Sequence, residues 1–279
     1  MDFKEYEKIA SRIRTDVIEE VHSAGSGHPG GSLSAADIVT ALYFREMNVN
    51  PEEPKMKGRD KFVLSKGHAA PVQYAALAEK GYFPKEELLT LRKLGSRLQG
   101  HPNMHKVPGI EMSTGSLGQG FAVCVGMAMA NKLDKDPGRI YTLLGDGELQ
   151  EGLIWEAAMA SAHYKLDNLV CFVDDNKYQL DGAVDKVMSH GKGIGAKFAA
   201  FGWNVIELQD GNDVEQIYDA VQLAYDTKGV PTCIVLNTVK GLGATFAEGT
   251  GAHSSQPTKE QWDEAIAAAE KKLAEIKAQ

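Results

Sequence analysis

The sequence predicts an α/β fold, a mostly parallel sheet with helices on both faces. Two observations carry that reading. From Arg139 onward, short apolar runs alternate with stretches of helical spacing, the rhythm of strand–helix–strand units whose parallel strands are covered above and below. Polar loops bearing glycine follow where the apolar runs stop, after Leu64 and after Leu144, and ligands of open parallel sheets collect at such strand ends.

Taken in order, Phe3, Tyr6, Ile9, Ile13, Val17 and Val21 fall at helical spacing, and the pattern stops at a glycine-rich loop over residues 25–31. Residues 35–44 read as a second helix and 51–57 as a connection rich in proline and charge. Phe62-Val63-Leu64 is a short strand ending in Ser65-Lys66-Gly67-His68, and 69–80 is helical. Gly118-Gln119-Gly120 opens an apolar helix through Val123, Val125, Met127 and Met129. Strands then follow at 140–144, 169–173, 205–208 and 233–239, with helices at 153–164, 195–201 and 214–227. Thr258 and Gln261 have capping-box spacing before a charged, alanine-rich helix reaching about Lys277. With no repeat or linker in between, residues 1–279 read as one domain with its last helix from about 258.

The composition, 43% hydrophobic and 24% charged over 279 residues, is globular and argues against disorder. A net charge of −8 without a basic block gives nucleic acid or an acidic membrane no electrostatic footprint. No run approaches the roughly 20 apolar residues of a membrane span, and the acidic start Met1-Asp2-Phe3-Lys4-Glu5 is unlike a signal peptide. Cys124, Cys171 and Cys233 lie in apolar runs, and an odd number cannot pair within the chain. They read as reduced core residues, and the location as cytoplasmic.

The chemistry starts at Gly145-Asp146-Gly147. Its glycines allow a tight turn and a close approach of backbone N–H groups to a phosphate, and Asp146 supplies a hard oxygen. Thirty positions on, Val173-Asp174-Asp175-Asn176-Lys177 ends the next strand, one strand–helix–strand unit away, so Asp146 and Asn176 can converge. A carboxylate and an amide oxygen form a partial shell that phosphate oxygens, a backbone carbonyl and water complete around magnesium. Gly145-Asp146-Gly147 alone would suit an ordinary strand-to-helix turn; the paired spacing favours a metal-bridged diphosphate.

His28, His68, His101 and His253 each have a glycine or alanine neighbour, which leaves a ligand room to approach. Imidazole can donate to phosphates or hydroxyls and move protons near neutral pH, so four such residues favour a shared polar cleft. They are not spaced as zinc ligands. The stretch at 113–120 lacks a Gly-x-Ser-x-Gly elbow, and Gly193-x-Gly195 lacks the third glycine of a dinucleotide fingerprint.

In order along the chain, Gly27-His28-Pro29-Gly30, Ser65-Lys66-Gly67-His68, Gly100-His101-Pro102, residues 113–120, Gly145 with the run to Gly152, and Asp174-Asp175-Asn176 resemble the amino-terminal part of transketolase. The resemblance spans nearly the whole chain. It implies the thiamine-diphosphate-binding fold, with thiamine diphosphate as cofactor. It also implies magnesium, or calcium or manganese in its place, bound by Asp146, Asn176 and the backbone carbonyl of Tyr178. Gly147 and His68 would meet the diphosphate, Gly115, Ser116 and Leu117 would line the aminopyrimidine, and Lys240 would make a further cofactor contact. His28, His101 and His253 would face the sugar, and Glu151 would join paired active sites across a dimer. Two positions depart from the family pattern: Ser116 stands where proline is frequent, and His253-Ser254-Ser255-Gln256-Pro257 stands where His-Gly-x-Pro is usual.

The implied reaction is reversible transfer of a two-carbon ketol unit from a ketose phosphate to an aldose phosphate, the cofactor carrying the chemistry and the protein orienting it. Transketolase polypeptides are usually much longer. The resemblance therefore implies a separate C-terminal transketolase subunit supplying the pyrimidine-binding domain and the activating glutamate, in a dimer of heterodimers. The solvated terminal helix reads as a natural end. Two rivals stay open: a subunit of another thiamine-diphosphate enzyme (a decarboxylase, a dehydrogenase, or a relative for a different sugar or sulfopyruvate), and a non-catalytic cofactor-binding subunit.

Overall fold

The computed structural model describes residues 2–180, 182–250, 253–254 and 257–278. The chain opens with α1 (Phe3–Ala24), α2 (Pro29–Leu33), α3 (Ala36–Ala41), β1 (Lys61–Leu64), α4 (Ala70–Lys80) and α5 (Gln119–Asp134). It continues through β2 (Ile140–Gly145), α6 (Gly152–His163), β3 (Leu169–Asp175), β4 (Tyr178–Gln179), β5 (Gly182–Ala183), α7 (Val184–Val187) and α8 (Ile194–Ala200). It ends in β6 (Asn204–Leu208), α9 (Val214–Asp226), β7 (Thr232–Asn237) and α10 (Lys259–Ala278).

Five strands form one parallel sheet in the order β1-β2-β3-β7-β6, and β4 pairs antiparallel with β5. The middle strands are buried along nearly their whole length, as both faces of a parallel sheet require. Successive side chains point to opposite faces. Val170, Phe172, Ile234 and Leu236 join Tyr141 and Leu143 in the layer under α1, α3, α4 and α9, with α10 packed on α1. Leu169, Cys171, Val173, Cys233 and Val235 join Ile140 and Leu144 under α5, α6 and α8. All three cysteines are free and buried. Among the described residues, no helix is long and apolar enough to cross a membrane.

The predicted elements are present, with three differences. The stretch over 25–31 is not wholly a loop: Pro29, whose ring suits a first helical turn, starts the short α2. The helix expected over 35–44 is α3 followed by one wider turn, Leu42–Glu46, closed by Met47 N–H donating to the Leu42 carbonyl at 2.8 Å. There Arg45 lies over the rings of Tyr218 (3.8 Å) and Phe3 (4.8 Å). The last strand stops at Asn237, two residues short of the expectation, and the chain turns over the sheet edge.

The capping box forms as expected: Thr258 N–H donates to Gln261 Oε1 (2.8 Å), and Gln261 N–H donates to Thr258 Oγ1 (3.3 Å). One turn further on, Trp262, 6% exposed, wedges between His22 (ring centroids 5.4 Å apart) and Phe246 (4.9 Å). Replacing it by alanine should cost about 3 kcal/mol in urea unfolding, as emptying a buried aromatic site ordinarily does; a loss under ~1 kcal/mol would show that α10 is not anchored there.

Candidate active site at the carboxyl edge of the sheet

The parallel register sets the carboxyl ends of four strands level, with Leu64 beside Leu143, Gly145 beside Asp174 and Asp175 beside Asn237. The loops leaving this edge carry Ser65 to His68, Asp146 and Gly147, Asn176 to Tyr178, and Thr238 to Lys240. They enclose a cleft of ≈ 280 Å³, into whose wall fall the predicted residues His68, Leu117, Asp146, Gly147, Glu151, Asn176, Tyr178, Lys240 and His253.

Asp146 and Asn176 do converge here. Both carboxylate oxygens of Asp146 accept backbone donors, Oδ1 from Gly147 (2.7 Å) and Oδ2 from Lys177 (2.7 Å). Gly147 allows the close turn, since a Cβ on it would lie 2.6 Å from Gln179 Cβ. Burial first, and the charge of Asp174 second, push the Asp146 carboxyl up to about 7. A divalent cation at that oxygen would relieve both effects.

Asn176 donates its amide N–H to Asp174 Oδ2 (2.7 Å), and its Oδ1 accepts Tyr178 N–H at 3.1 Å with one lone pair to spare. Asp174 is fully buried. Its Oδ2 also accepts from Lys66 Nζ (2.5 Å) and Ser34 Oγ (2.8 Å), and its Oδ1 accepts from Thr238 Oγ1. Lys66 is 1% exposed and donates as well to the Gly31 carbonyl at 2.7 Å. Burial alone would raise the Asp174 carboxyl; the Lys66 ammonium and the hydroxyl donors outweigh it and hold the group below the usual carboxylate range.

A second buried carboxylate, Glu148, ties the glycine loops together. It accepts from Gly118 N–H (2.9 Å), Gly145 N–H (3.1 Å) and Ser65 Oγ. Gly118, at φ 82, occupies the left-handed region that starts α5.

Among the described residues, no three His, Cys, Asp or Glu side chains are placed to hold a metal by themselves. Asp146, Asn176 and Tyr178 line the cleft and can offer only hard oxygens, a carboxylate, an amide oxygen and a backbone carbonyl. That set fits magnesium in the company of phosphate oxygens and fits an isolated ion poorly.

All four singled-out histidines meet above this floor. Ring centroids lie 4.9 Å apart for His28 and His253, 4.8 Å for His68 and His253, 5.3 Å for His28 and His68, and 6.4 Å for His28 and His101. Beside His253, residues 251–252 and 255–256 lie outside the described residues. Burial is the main reason that His28 is lowered to about 4 and His68 to about 2, with the neighbouring imidazoles and cations adding to it. His101 is lowered by burial and by Arg92. His28, His68 and His101 are thus neutral at pH 7, each of these rings offering one donor and one acceptor.

The other predicted positions divide. Gly115 backs His101, whose Cδ2 would lie 3.0 Å from a Cβ there. Ser116 is exposed and stands outside the cleft wall, whereas Leu117 lines it. Glu151 is an exposed residue of the rim. Lys240 is 1% exposed and donates to the Leu180 carbonyl at 2.8 Å. Sequence reasoning missed Lys66, Asp174, Ser34, Thr238 and Glu148 as a supporting frame. The available signal was a charged residue at the very end of an apolar strand, as at Lys66 and Asp174.

Two outcomes follow. Lys66→Met leaves the Asp174 charge buried without its partner and should cost about 3–5 kcal/mol in urea unfolding, while Lys66→Met with Asp174→Leu should recover part of that; additive losses would mean the pair is not coupled. For His28, a folded value below the unfolded 6.5 means that stability is complete above pH 6.5 and is lost as pH falls toward about 4. His28→Asn should therefore flatten stability between those limits, and imidazole NMR signals of His28 should remain those of a neutral ring at pH 6.

Comparison with known proteins agrees with this geometry. The family profile described as "Transketolase, thiamine diphosphate binding domain" matches residues 5–277. The chain is 47% identical over 263 residues to a 6-deoxy-6-sulfo-D-fructose transketolase subunit of Clostridium sp. (strain MSTE9), covering 94% of this chain and 95% of that one. It is 43% identical to an apulose-4-phosphate transketolase subunit of Phocaeicola vulgatus, covering 95% and 94%. Transketolase from Leishmania mexicana superposes with a TM-score of 0.87 at 30% identity; the match covers 100% of this chain and 45% of that one. The chain therefore spans under half the length of that solved transketolase but nearly all of the two subunits. It belongs to the transketolase family, as a thiamine-diphosphate-binding domain.

Proposed function

We propose that this chain is the N-terminal subunit of a transketolase, binding thiamine diphosphate and magnesium, or calcium or manganese in its place, for reversible transfer of a two-carbon ketol unit from a ketose phosphate to an aldose phosphate. The observation that carries the reading is the joining of two half-sites, the Asp146–Asn176 oxygen pair with His68 and His253 in the wall of one cleft, and His28 and His101 gathered onto those rings.

In this reading Asp146, Asn176 and the Tyr178 carbonyl hold the metal. His68 and the Gly147 N–H face the diphosphate, and Gly115, Ser116, Leu117 and Lys240 frame the rest of the cofactor. When bound, thiamine diphosphate supplies the carbon nucleophile and the electron sink. The chain's own part is positioning and proton traffic. His28, His101 and His253 orient sugar hydroxyls, and a neutral ring can take a hydroxyl proton and return it. The depressed basicity of His28 and His101 keeps those rings neutral, and so ready to accept a proton, before it arrives. Glu151, exposed on the rim, meets a second copy of the site.

Relatives named as subunits support a separate C-terminal transketolase subunit that brings the pyrimidine-binding domain and activating glutamate. The reading places the pair as a dimer of heterodimers in the cytoplasm, with 1–279 acting as one domain and neither nucleic acid nor membrane as partner. The relatives' names also extend the range of substrates from phosphates to a sulfonated ketose.

The purified chain should be inactive in a coupled ketol-transfer assay and gain activity on mixing with the C-terminal subunit; robust transfer by the single chain would refute the split-site reading. In the mixture, His28→Asn and His101→Asn should each lower turnover by about 10²- to 10⁴-fold with calorimetric cofactor affinity intact. Unchanged turnover would favour a binding-only subunit.

A further inference from the structure

The loop between β6 and α9 also leaves the carboxyl edge of the sheet, yet among the described residues none of it lines the cleft. It is nevertheless built to a tight fit. Gly211 N–H donates to the Asn237 carbonyl at 2.8 Å, and a Cβ on Gly211 would lie 2.7 Å from the Leu236 carbonyl carbon and 2.8 Å from Asn237 N. A residue without a side chain is what lets the loop press on the end of β7. Asn237 Nδ2 adds a second tie, donating to the Gln209 carbonyl at 2.9 Å.

This close seat delivers Asn212 between two other segments. Its Nδ2 donates to the Ser34 carbonyl (3.1 Å) and to Asp37 Oδ2 (2.8 Å), and its Oδ1 accepts Val239 N–H (2.9 Å). These partners fix the amide, since a flipped group would set its oxygen against two acceptors and its N–H bonds against a donor. Asp37 is buried and paired with Arg14. Burial lifts its carboxyl above the ordinary value, and Arg14 first and Asn212 next hold it down.

Both segments joined by Asn212 carry a hydroxyl to the buried Asp174. Ser34 Oγ donates to Asp174 Oδ2 at 2.8 Å, and Thr238, the neighbour of Val239, donates Oγ1 to Oδ1. The same two segments meet once more, through Gly241 N–H on the Gly30 carbonyl at 3.0 Å. That tie lies before Ser34 in one segment and after Thr238 in the other, so the Asn212 amide is the clamp nearest to both hydroxyls.

We propose that Asn212 is a positioning residue for the metal–diphosphate half of the site, an inference that rests on the cofactor reading above. It acts by holding the Ser34 and Thr238 hydroxyls on Asp174. Asp174 in turn takes the Asn176 amide N–H at 2.7 Å and so aims the Asn176 oxygen. A buried carboxylate that loses hydroxyl donors shifts toward the partners it keeps, here Lys66 and Asn176, and carries the amide with it.

The test uses the enzyme reconstituted from this chain and its C-terminal partner. Asn212→Ala should weaken magnesium-dependent binding of thiamine diphosphate by about 10-fold in calorimetry, the lower end of what partners behind metal ligands contribute. Turnover at saturating cofactor should stay within about 2-fold of the wild type, as for a loss of uniform binding. Asn212→Asp keeps the acceptor for Val239 but loses the donor to Ser34, and should show the same pattern. In a Ser34→Ala, Thr238→Val background Asn212 has no hydroxyl left to hold. Adding Asn212→Ala there should change affinity by less than about 2-fold; a repeat of the full loss, or unchanged affinity in both Asn212 variants, overturns the proposal.

Amide exchange in the cofactor-free complex gives a second readout. Tyr178 N–H is held by Asn176 Oδ1 and is not touched by Asn212; in Asn212→Ala it should exchange about 10-fold faster. In Asn237→Ala, which frees the same loop from its tie at Gln209, it should keep the wild-type rate. Faster exchange confined to Val239, or an equal change at Tyr178 in both variants, means a local structural role and overturns the proposal. If the wild-type complex binds no thiamine diphosphate, the cofactor reading has failed, and exchange at Tyr178 alone decides on Asn212.

Discussion

The site depends on one buried ion pair. Lys66 and Asp174 are both out of water, and two charges stripped of solvent are tolerated only when geometry and further donors are nearly saturated. They are: Asp174 accepts from Lys66, Ser34, Thr238 and Asn176. Those partners come from the loop after β1, the turn between α2 and α3, the loop after β7 and the end of β3. One carboxylate thus braces four segments that the sheet alone would leave independent. It also settles the orientation of the Asn176 amide, which neither strand pairing nor packing decides. Outer partners of this kind orient metal ligands in most metal sites.

Above that floor the electrostatics change character. In the lower cleft, burial first and the charge of Asp174 second lift the Asp146 carboxyl. Above it, burial and neighbouring cations keep His28, His68 and His101 uncharged. A ligand with a cation-bridged diphosphate at one end and hydroxyls at the other matches both halves. Glu148 ties the start of α5 to the end of β2 by holding the Gly118 and Gly145 backbones with a single side chain.

Much of this was legible in the sequence because it is local. Strand runs such as 169–173 and the loops beginning at Ser65 and Gly145 are set by neighbouring residues. The spacing from Asp146 to Asn176 follows from the length of one strand–helix–strand unit. The four histidines could be gathered because each sits beside small residues. What stayed hidden is long-range: Lys66 and Asp174 are 108 positions apart, and no period links them. The start of α2 was masked by glycines that usually break helices, and the wide turn at Leu42–Glu46 depends on Arg45 meeting aromatic rings from two other helices.

The capped and wedged start of α10 bears on the cleft in a different way. The segment carrying His253 is held at one end by Gly249 N–H on the Lys240 carbonyl at 2.8 Å, and at the other by the Thr258 cap and Trp262. Helix α10 packs mainly on α1, outside the sheet layers, so it can detach without disturbing a strand. Such local opening has its own free energy, smaller than that of global unfolding. The fraction of molecules with a complete ring of four histidines is then set by docking of a peripheral helix, and warming should deplete that fraction before the sheet begins to melt.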